Sequence, residues 1–369
     1  MNERVTARRS NPIAYPRIAS LPIGAVGIVY VVGYILLDRI SFIEPYAHFG
    51  ITPWNPGTGL SFGIVLLFGW RMIPFLFISP LLSDIIQIQP PVPFAVTLLS
   101  AALIGGGYST ALIALLRPLL RFDPALSSMR DLVLLMLVAG VSAALVASSY
   151  VALMIAAGLL PINDFASATL RYWVGDMIGI MVVAPFALVT LTRRRILRPT
   201  IETFLQFAAI IGGLTLVFGY VKEQQFQLFY VLFLPIIWMA VRTGSEGVTI
   251  GILATQLGLI LGIIIFPGNG HDVTAYQALM LVLATTGLVA GELVTENRRT
   301  SSQLRLHQES LSRLARLGSM GELAAAIAHE LNQPLMAAGT YTRLVDEAIS
   351  SQSADATSVA FRSMVGGRR

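Results

Sequence analysis

The stretch from Leu311 to Leu335, LSRLARLGSMGELAAAIAHELNQPL, carries the sharpest chemical pattern in the chain. His329 is followed directly by Glu330, and Pro334 lies five residues beyond the histidine. A neutral imidazole is a good nucleophile near pH 7. A neighbouring carboxylate can fix its tautomer and stabilise the positive charge that develops on attack. Proline at 334 withdraws a helical N–H and loosens the helix just past the histidine. Plotted at about 100° per residue, Leu317, Met320, Ala324, Ile327, Ala328, Leu331 and Leu335 form one stripe, with His329 roughly 140° from its middle. Glu322 and Gln333 lie farther round. The pattern predicts an amphipathic helix that holds a histidine in water and offers an apolar face to a partner. A bare His-Glu pair would read as an ordinary solvated surface. The chemical reading comes from its combination with Pro334, the stripe and the lead-in Met320-Gly321-Glu322-Leu323.

That helix must be positioned by what precedes it. Residues 292–308, ELVTENRRTSSQLRLHQ, are charged, helix-compatible and free of Pro and Gly. Leu304, Leu311 and Leu314 continue a narrow apolar seam into the histidine helix, the pattern of a parallel dimer through residues 300–350. The histidine helix is expected to run to about Ile349. SSQSADATS then reads as a turn, and SVAFRSMVGG as the start of a returning helix. A shift or rotation of the preceding apolar segment would travel down such a rod to His329.

The rest of the chain reads as membrane. Of 369 residues, 55% are hydrophobic and 12% charged, with mean hydropathy +0.73; soluble domains run at about 25% charged. No cysteine is present, which excludes disulfides and thiolate metal sites. The net charge of +5 comes from arginines set between apolar runs, so they read as topology determinants rather than a nucleic-acid surface. The basic tail 1–17 precedes a first apolar span. Further apolar runs cover roughly 58–70, 73–88, 93–116, 131–157, 170–192, 203–221, 227–242, 247–266 and 275–295. About 20 residues are needed per helical crossing, so 58–88 is too short for two ordinary spans. Ten crossings with both termini cytoplasmic put Arg4, Arg8, Arg9, Arg17, Arg71, Arg117, Arg121, Arg130, Arg193, Arg194, Arg195, Arg198, Arg242, Arg298 and Arg299 on the inner side. Arg39, Lys222 and Arg171 fall outside, which is the positive-inside pattern. That count requires a hairpin-like pair at 58–88; eight spans is the alternative. The expected fold is an all-α polytopic helical bundle of 8–10 spans (18–295), a signalling helix (296–316) and a histidine-bearing dimerisation hairpin (317–369).

Polar residues inside the membrane are the candidates for sensing. Asp176 lies within one apolar run and Asp84 near the end of another, with Arg71, Arg171 and Arg242 as available cations. A carboxylate in lipid is costly and seeks a partner inside the bundle. The two readings are a site for a ligand, ion or proton, and a structural or interfacial pair. Trp54, Trp173 and Trp238 read as interfacial anchors, and Gly105-Gly106-Gly107 as a place of close helix packing. His48 and His271, the latter beside Asp272, fall in predicted outer loops, and no set of metal-ligand spacing supports a metal site.

Two resemblances attach to these residues. AHELNQPL and its lead-in RLARLGSMGELAAAIAHE resemble the phospho-acceptor box of sensor histidine kinases, in the branch related to nitrogen-fixation and dicarboxylate sensors. The resemblance implies that His329 takes the γ-phosphoryl group of ATP, that Glu330 orients the ring or takes its proton, and that the group passes to a response-regulator aspartate. Where many such kinases carry Thr or Asn four places after the histidine, this chain has Gln333 with Asn332 before it; both are candidates for a phosphotransfer or phosphatase role. PWNPGTGLSFGIVLLFGWR (53–71), WVGDMIGIMVVAPFALV (173–189) and LPIIWMAVRTGSEG (234–247) together resemble the first class of bacterial membrane-associated sensor domains, over about residues 20–295. That implies a bacterial inner-membrane location. No glycine-rich nucleotide loop or asparagine-bearing ATP box follows His329, so ATP and Mg2+ are expected only on a domain absent from this chain, and the chain alone is not expected to phosphorylate itself. Two other readings stand beside this one: a transporter or channel with a cytoplasmic oligomerisation helix, and an adaptor phosphorylated in trans.

Overall fold

The structure is a computed structural model that describes residues 22–42, 51–87, 92–193, 200–219, 228–266 and 273–366. Among these there is no strand. The helices are α1 (Ile23–Ser41), α2 (Pro56–Phe68), α3 (Ile73–Gln87), α4 (Phe94–Leu116), α5 (Met129–Ala156), α6 (Phe165–Arg193), α7 (Ile201–Gly219), α8 (Phe233–Thr243), α9 (Ser245–Ile265) and α10 (Val273–Gly366). Among the described residues, seven helices are long and apolar enough to cross a membrane, and Pro56–Phe68 and Phe229–Thr243 are shorter apolar helices. His48, His271, Asp272, Lys222, Arg194, Arg195, Arg198 and the arginines of the basic tail lie outside the described residues.

The chain divides into two units, Met1–Arg298 and Arg299–Arg369. In the first, the direction of each helix can be read from its contacts. Along α1, a Cβ on Gly27 would overlap the ring of Phe75, Tyr30 Oη lies 2.7 Å from Ser61 Oγ, a Cβ on Gly57 would meet the Tyr34 ring, and Ser83 donates to Asp38 at 2.5 Å. So α2 runs antiparallel to α1 and α3 parallel to it. The 58–88 segment is therefore a pair of opposed short helices flanking α1, joined at Gly69 (φ 81°), and α2 packs chiefly on α6 while α3 packs on α4. Elsewhere, α5 and α6 are antiparallel through the pairs Tyr150–Tyr172 and Gly140–Trp173. Gly258 and Gly262 of α9 face Leu214 and Phe218 of α7, so those two are parallel. Gly291 and Gly287 face Val248 and Ile252, so the start of α10 is antiparallel to α9. Every one of these pairings alternates as ten crossings require.

Small residues set the helix spacing. The carbonyl of Leu76 loses its usual donor because residue 80 is proline; it rests against Gly105, where a Cβ would stand 3.1 Å away. A Cβ on Gly107 would overlap Val146. The glycine run is thus a packing seam between α3, α4 and α5. Two aromatic expectations change. Trp54 is 2% exposed, part of the core, whereas Trp70, 70% exposed, occupies the surface position. Trp173 is half-buried and donates to the carbonyl of Gly140 at 3.0 Å.

In the second unit the helix continues through Gly366. The turn expected at 350–358 does not form. SQSADATS contains no Gly or Pro to end a helix, and local propensity carries the backbone on when no second apolar face packs against it. Pro334 is accommodated within the helix. Leu304, Leu311, Leu314, Leu317, Met320, Ile327, Leu331 and Leu335 are all exposed, so the predicted stripe is a face without a cover among the described residues.

Candidate functional site

Asp176 sits in the middle of the first unit, 1% exposed. Its Oδ1 accepts from Asn55 Nδ2 at 2.7 Å and from Thr58 Oγ1 at 3.3 Å, and its Oδ2 accepts from the Tyr108 hydroxyl. Asn55 uses both ends of its amide: Oδ1 caps the N-terminus of α2 by accepting from Thr58 N at 3.4 Å, ahead of Pro56 at the first helical position. The backbones are in direct contact. Asn55 N donates to the carbonyl of Gly175 at 3.1 Å. A Cβ on Gly179 would overlap the Asn55 carbonyl, one on Gly59 would overlap the Gly179 carbonyl, and one on Gly175 would stand 2.6 Å from the Thr52 carbonyl. The Trp-Asn-Pro and Gly-Asp-x-x-Gly segments are thus two halves of one knot, and their glycines are needed because backbone meets backbone.

The knot reaches the last membrane helix. Gln277, 1% exposed near the start of α10, donates from Nε2 to the carbonyls of Pro53 (3.0 Å) and Arg171 (3.1 Å). At the other end of the same segment, Arg193 pairs with Glu292 at 3.4 Å, with side-chain exposures of 8% and 3%. Arg193 also donates to the carbonyls of Ala125 (3.1 Å) and Leu126 and to Ser245 Oγ. Leu126 is held in the left-handed region at φ 48°. Thr295 Oγ1 accepts from Ser245 N at 2.9 Å, and Glu296 accepts from Met129 N at 3.3 Å. Arg298 donates to the carbonyls of Val241 (2.7 Å) and Arg242 (3.0 Å). The carboxylate meets a helix start and the guanidinium a helix end, the signs that helix dipoles favour. Residues 277–298 are therefore bound at both ends to the rest of the bundle.

The sequence candidates separate. Asp176 belongs to the buried cluster, but its partners are neutral hydroxyl and amide donors, and none of Arg71, Arg171 or Arg242 pairs with it. The correction has a simple reason: Arg71 lies exposed in the turn Trp70–Met72. Arg242 is spent on a two-pronged surface pair with Glu202, at 2.5 and 2.7 Å, beside Trp238 Nε1, which donates to the same carboxylate at 3.2 Å. Asp84 is half-buried and accepts from Ser100 Oγ at 3.3 Å. Asn55, Thr58, Tyr108, Gln277 and the Arg193–Glu292 pair were not picked out as site residues. Their signal was present as polar side chains within apolar runs, but their convergence is a tertiary fact.

In the second unit His329 is exposed, as are Glu330, Asn332 and Gln333. Gln333 Nε2 lies 3.5 Å from His329 Nε2, one turn away. Glu330 projects about 100° further round the helix. The ring is thus presented to solvent with an amide at one nitrogen.

An all-helical membrane bundle built round a buried carboxylate, followed by a helix that displays a histidine, is the architecture of a membrane-bound signalling receptor. The family model MASE1 matches residues 23–298, so the chain belongs to the MASE1 family of membrane sensor domains. Shorter stretches are similar to curated sensor proteins. The sensor protein FixL of Bradyrhizobium diazoefficiens is 46% identical over 50 residues, 14% of this chain and 10% of that protein. The C4-dicarboxylate transport sensor protein DctS of Rhodobacter capsulatus is 44% identical over 48 residues, 13% of this chain and 7% of that protein. The chain thus spans a tenth or less of the length of these relatives. No solved structure matches it.

Proposed function

We propose that this protein is the sensing and phospho-accepting part of a two-component system, with the bundle 23–298 as receptor and His329 as acceptor. The supporting observation is the combination, in one chain, of a MASE1 match over residues 23–298 with an exposed His329 in its Glu330–Pro334 setting. A ring nitrogen of His329 attacks the γ-phosphorus of an ATP held with Mg2+ by a separate domain. The bond to the ADP oxygen breaks, and the ring proton passes to Glu330 or water. The phosphoryl group then moves to a carboxylate oxygen of a response-regulator aspartate. Catalysis here is mainly positioning and charge stabilisation, which exposure of the ring permits. Two copies pair through the stripe at 300–350, which is exposed in the single chain and has the narrow seam of a parallel dimer. The end of the bundle that carries Arg193, Arg242 and Arg298 faces the cytoplasm.

The test is phosphorylation. Membranes carrying this chain, incubated with γ-labelled ATP, Mg2+ and the ATP-binding domain of a sensor kinase, should acquire acid-labile label that His329→Gln abolishes. Label that persists in the variant would overturn the assignment. One residue inserted at Thr300 rotates the downstream helix by about 100° and should change the response to stimulus; an unchanged response would sink transmission by helix movement.

A further inference from the structure

A cavity of about 10 Å³ lies beside the Asp176 knot, lined by Tyr34, Thr58, Ser61, Leu76, Ile104 and Tyr108. Three of its four hydroxyls, those of Thr58, Ser61 and Tyr108, have spent their hydrogens elsewhere. Thr58 and Tyr108 donate to Asp176, and Ser61 donates to the carbonyl of Gly57 at 2.9 Å. A hydroxyl has one hydrogen and two lone pairs, so these three oxygens have only lone pairs to offer the cavity, one of those on Ser61 being taken by the Tyr30 hydroxyl at 2.7 Å. Behind two of them stands the Asp176 carboxylate, buried, with neutral donors only and no ion pair among the described residues. A buried carboxylate without a counter-charge is expensive in a membrane, and a positive charge one hydroxyl away relieves that cost.

We propose that this cavity binds one small monovalent cation of the sodium class, held by the hydroxyl oxygens of Thr58, Ser61 and Tyr108 and charge-balanced by Asp176 behind them. The polar groups of the lining are all hydroxyl oxygens, beside Leu76 and Ile104, and oxygen ligands select a hard cation over a transition metal. Magnesium keeps several waters and calcium takes six to eight oxygens, more than the hydroxyls of this cavity supply. The volume is about that of a single water-sized sphere, which admits one alkali ion. The site is also wired to the last helix: Asp176 holds Asn55, whose loop accepts from Gln277 through the Pro53 carbonyl. Its role as the stimulus rests on the receptor reading above; its existence does not.

The experiment is thermal unfolding of the full chain in lipid nanodiscs, titrated with sodium chloride against choline chloride at constant ionic strength and at several pH values. Sodium should raise Tm saturably, by about 5 °C at a hundred times Kd, and Asp176→Asn should abolish the shift. Thr58→Val, which keeps the side-chain shape, should move the sodium midpoint at least tenfold and carries the test if Asp176→Asn fails to fold. Equal Tm in sodium and choline, or an unaltered midpoint in Thr58→Val, overturns the proposal. A Tm that follows pH but not sodium assigns the cluster to a proton and overturns it equally. If sodium shifts Tm but leaves phosphorylation of His329 unchanged, the site stands and its part in sensing falls.

Discussion

Asp176 and His329 are the two polar groups round which the two units are built, and they are treated in opposite ways. Asp176 is enclosed, with three donors on its two oxygens and backbone packed against backbone around it. His329 is held out in solvent, with one loose contact to Gln333. A buried group in a membrane core must have every lone pair answered by the fold, so its surroundings tolerate little change. An exposed group on a solvated helix has few neighbours, and its surroundings can tolerate much. Stability should therefore respond to substitutions at the first site and function to substitutions at the second.

The largest effect expected on stability comes from the clasp that ties the bundle to residues 292–298. Arg193→Ala removes the buried guanidinium that meets Glu292, Ser245 and the carbonyls of Ala125 and Leu126 and should cost about 3–5 kcal/mol, seen as loss of a monodisperse species or a steep fall in Tm in detergent. Gly179→Ala drives a Cβ into the Asn55 carbonyl and should cost on the order of 3 kcal/mol, at the upper end of overpacking effects; an unchanged Tm would show that the two motifs do not interlock. Tyr108→Phe removes one donor from a charged acceptor and should cost about 1.5–3 kcal/mol. At the small end, His329→Gln should change stability by no more than about 0.5 kcal/mol while abolishing the acid-labile label. A large loss of stability in that variant would erase the contrast between the two regions.

Legibility in the sequence divides along the same line. The histidine helix could be read from a linear pattern, because an exposed amphipathic helix is a local object whose chemistry depends on spacing alone. The short helices at 58–88 were legible through charge: only a pair of crossings keeps the arginines together, and the contacts along α1 bear out the opposed directions. The turn after Ile349 was misread because its polar residues suit a helix equally well when nothing packs against it. The arginine partners suggested for Asp176 were misread for another reason. Arg242 meets Glu202, 40 residues away along the chain, and no local rule announces such a pairing. Trp54 looked like an interfacial residue by type, but the knot draws its segment into the core.

Sequence alone was enough to read a polytopic helical membrane protein, the order of its apolar segments and an amphipathic helix that holds a histidine in solvent. These follow from hydropathy, charge count and helical period, which are properties of neighbours along the chain. Tertiary structure alone decided that Asn55, Thr58 and Tyr108 converge on Asp176, that Gln277 carries that cluster to the last membrane helix, and that Arg193 is a buried clasp. Those contacts join residues 52 to 224 positions apart, and helix packing with backbone-close glycines is what brings them together.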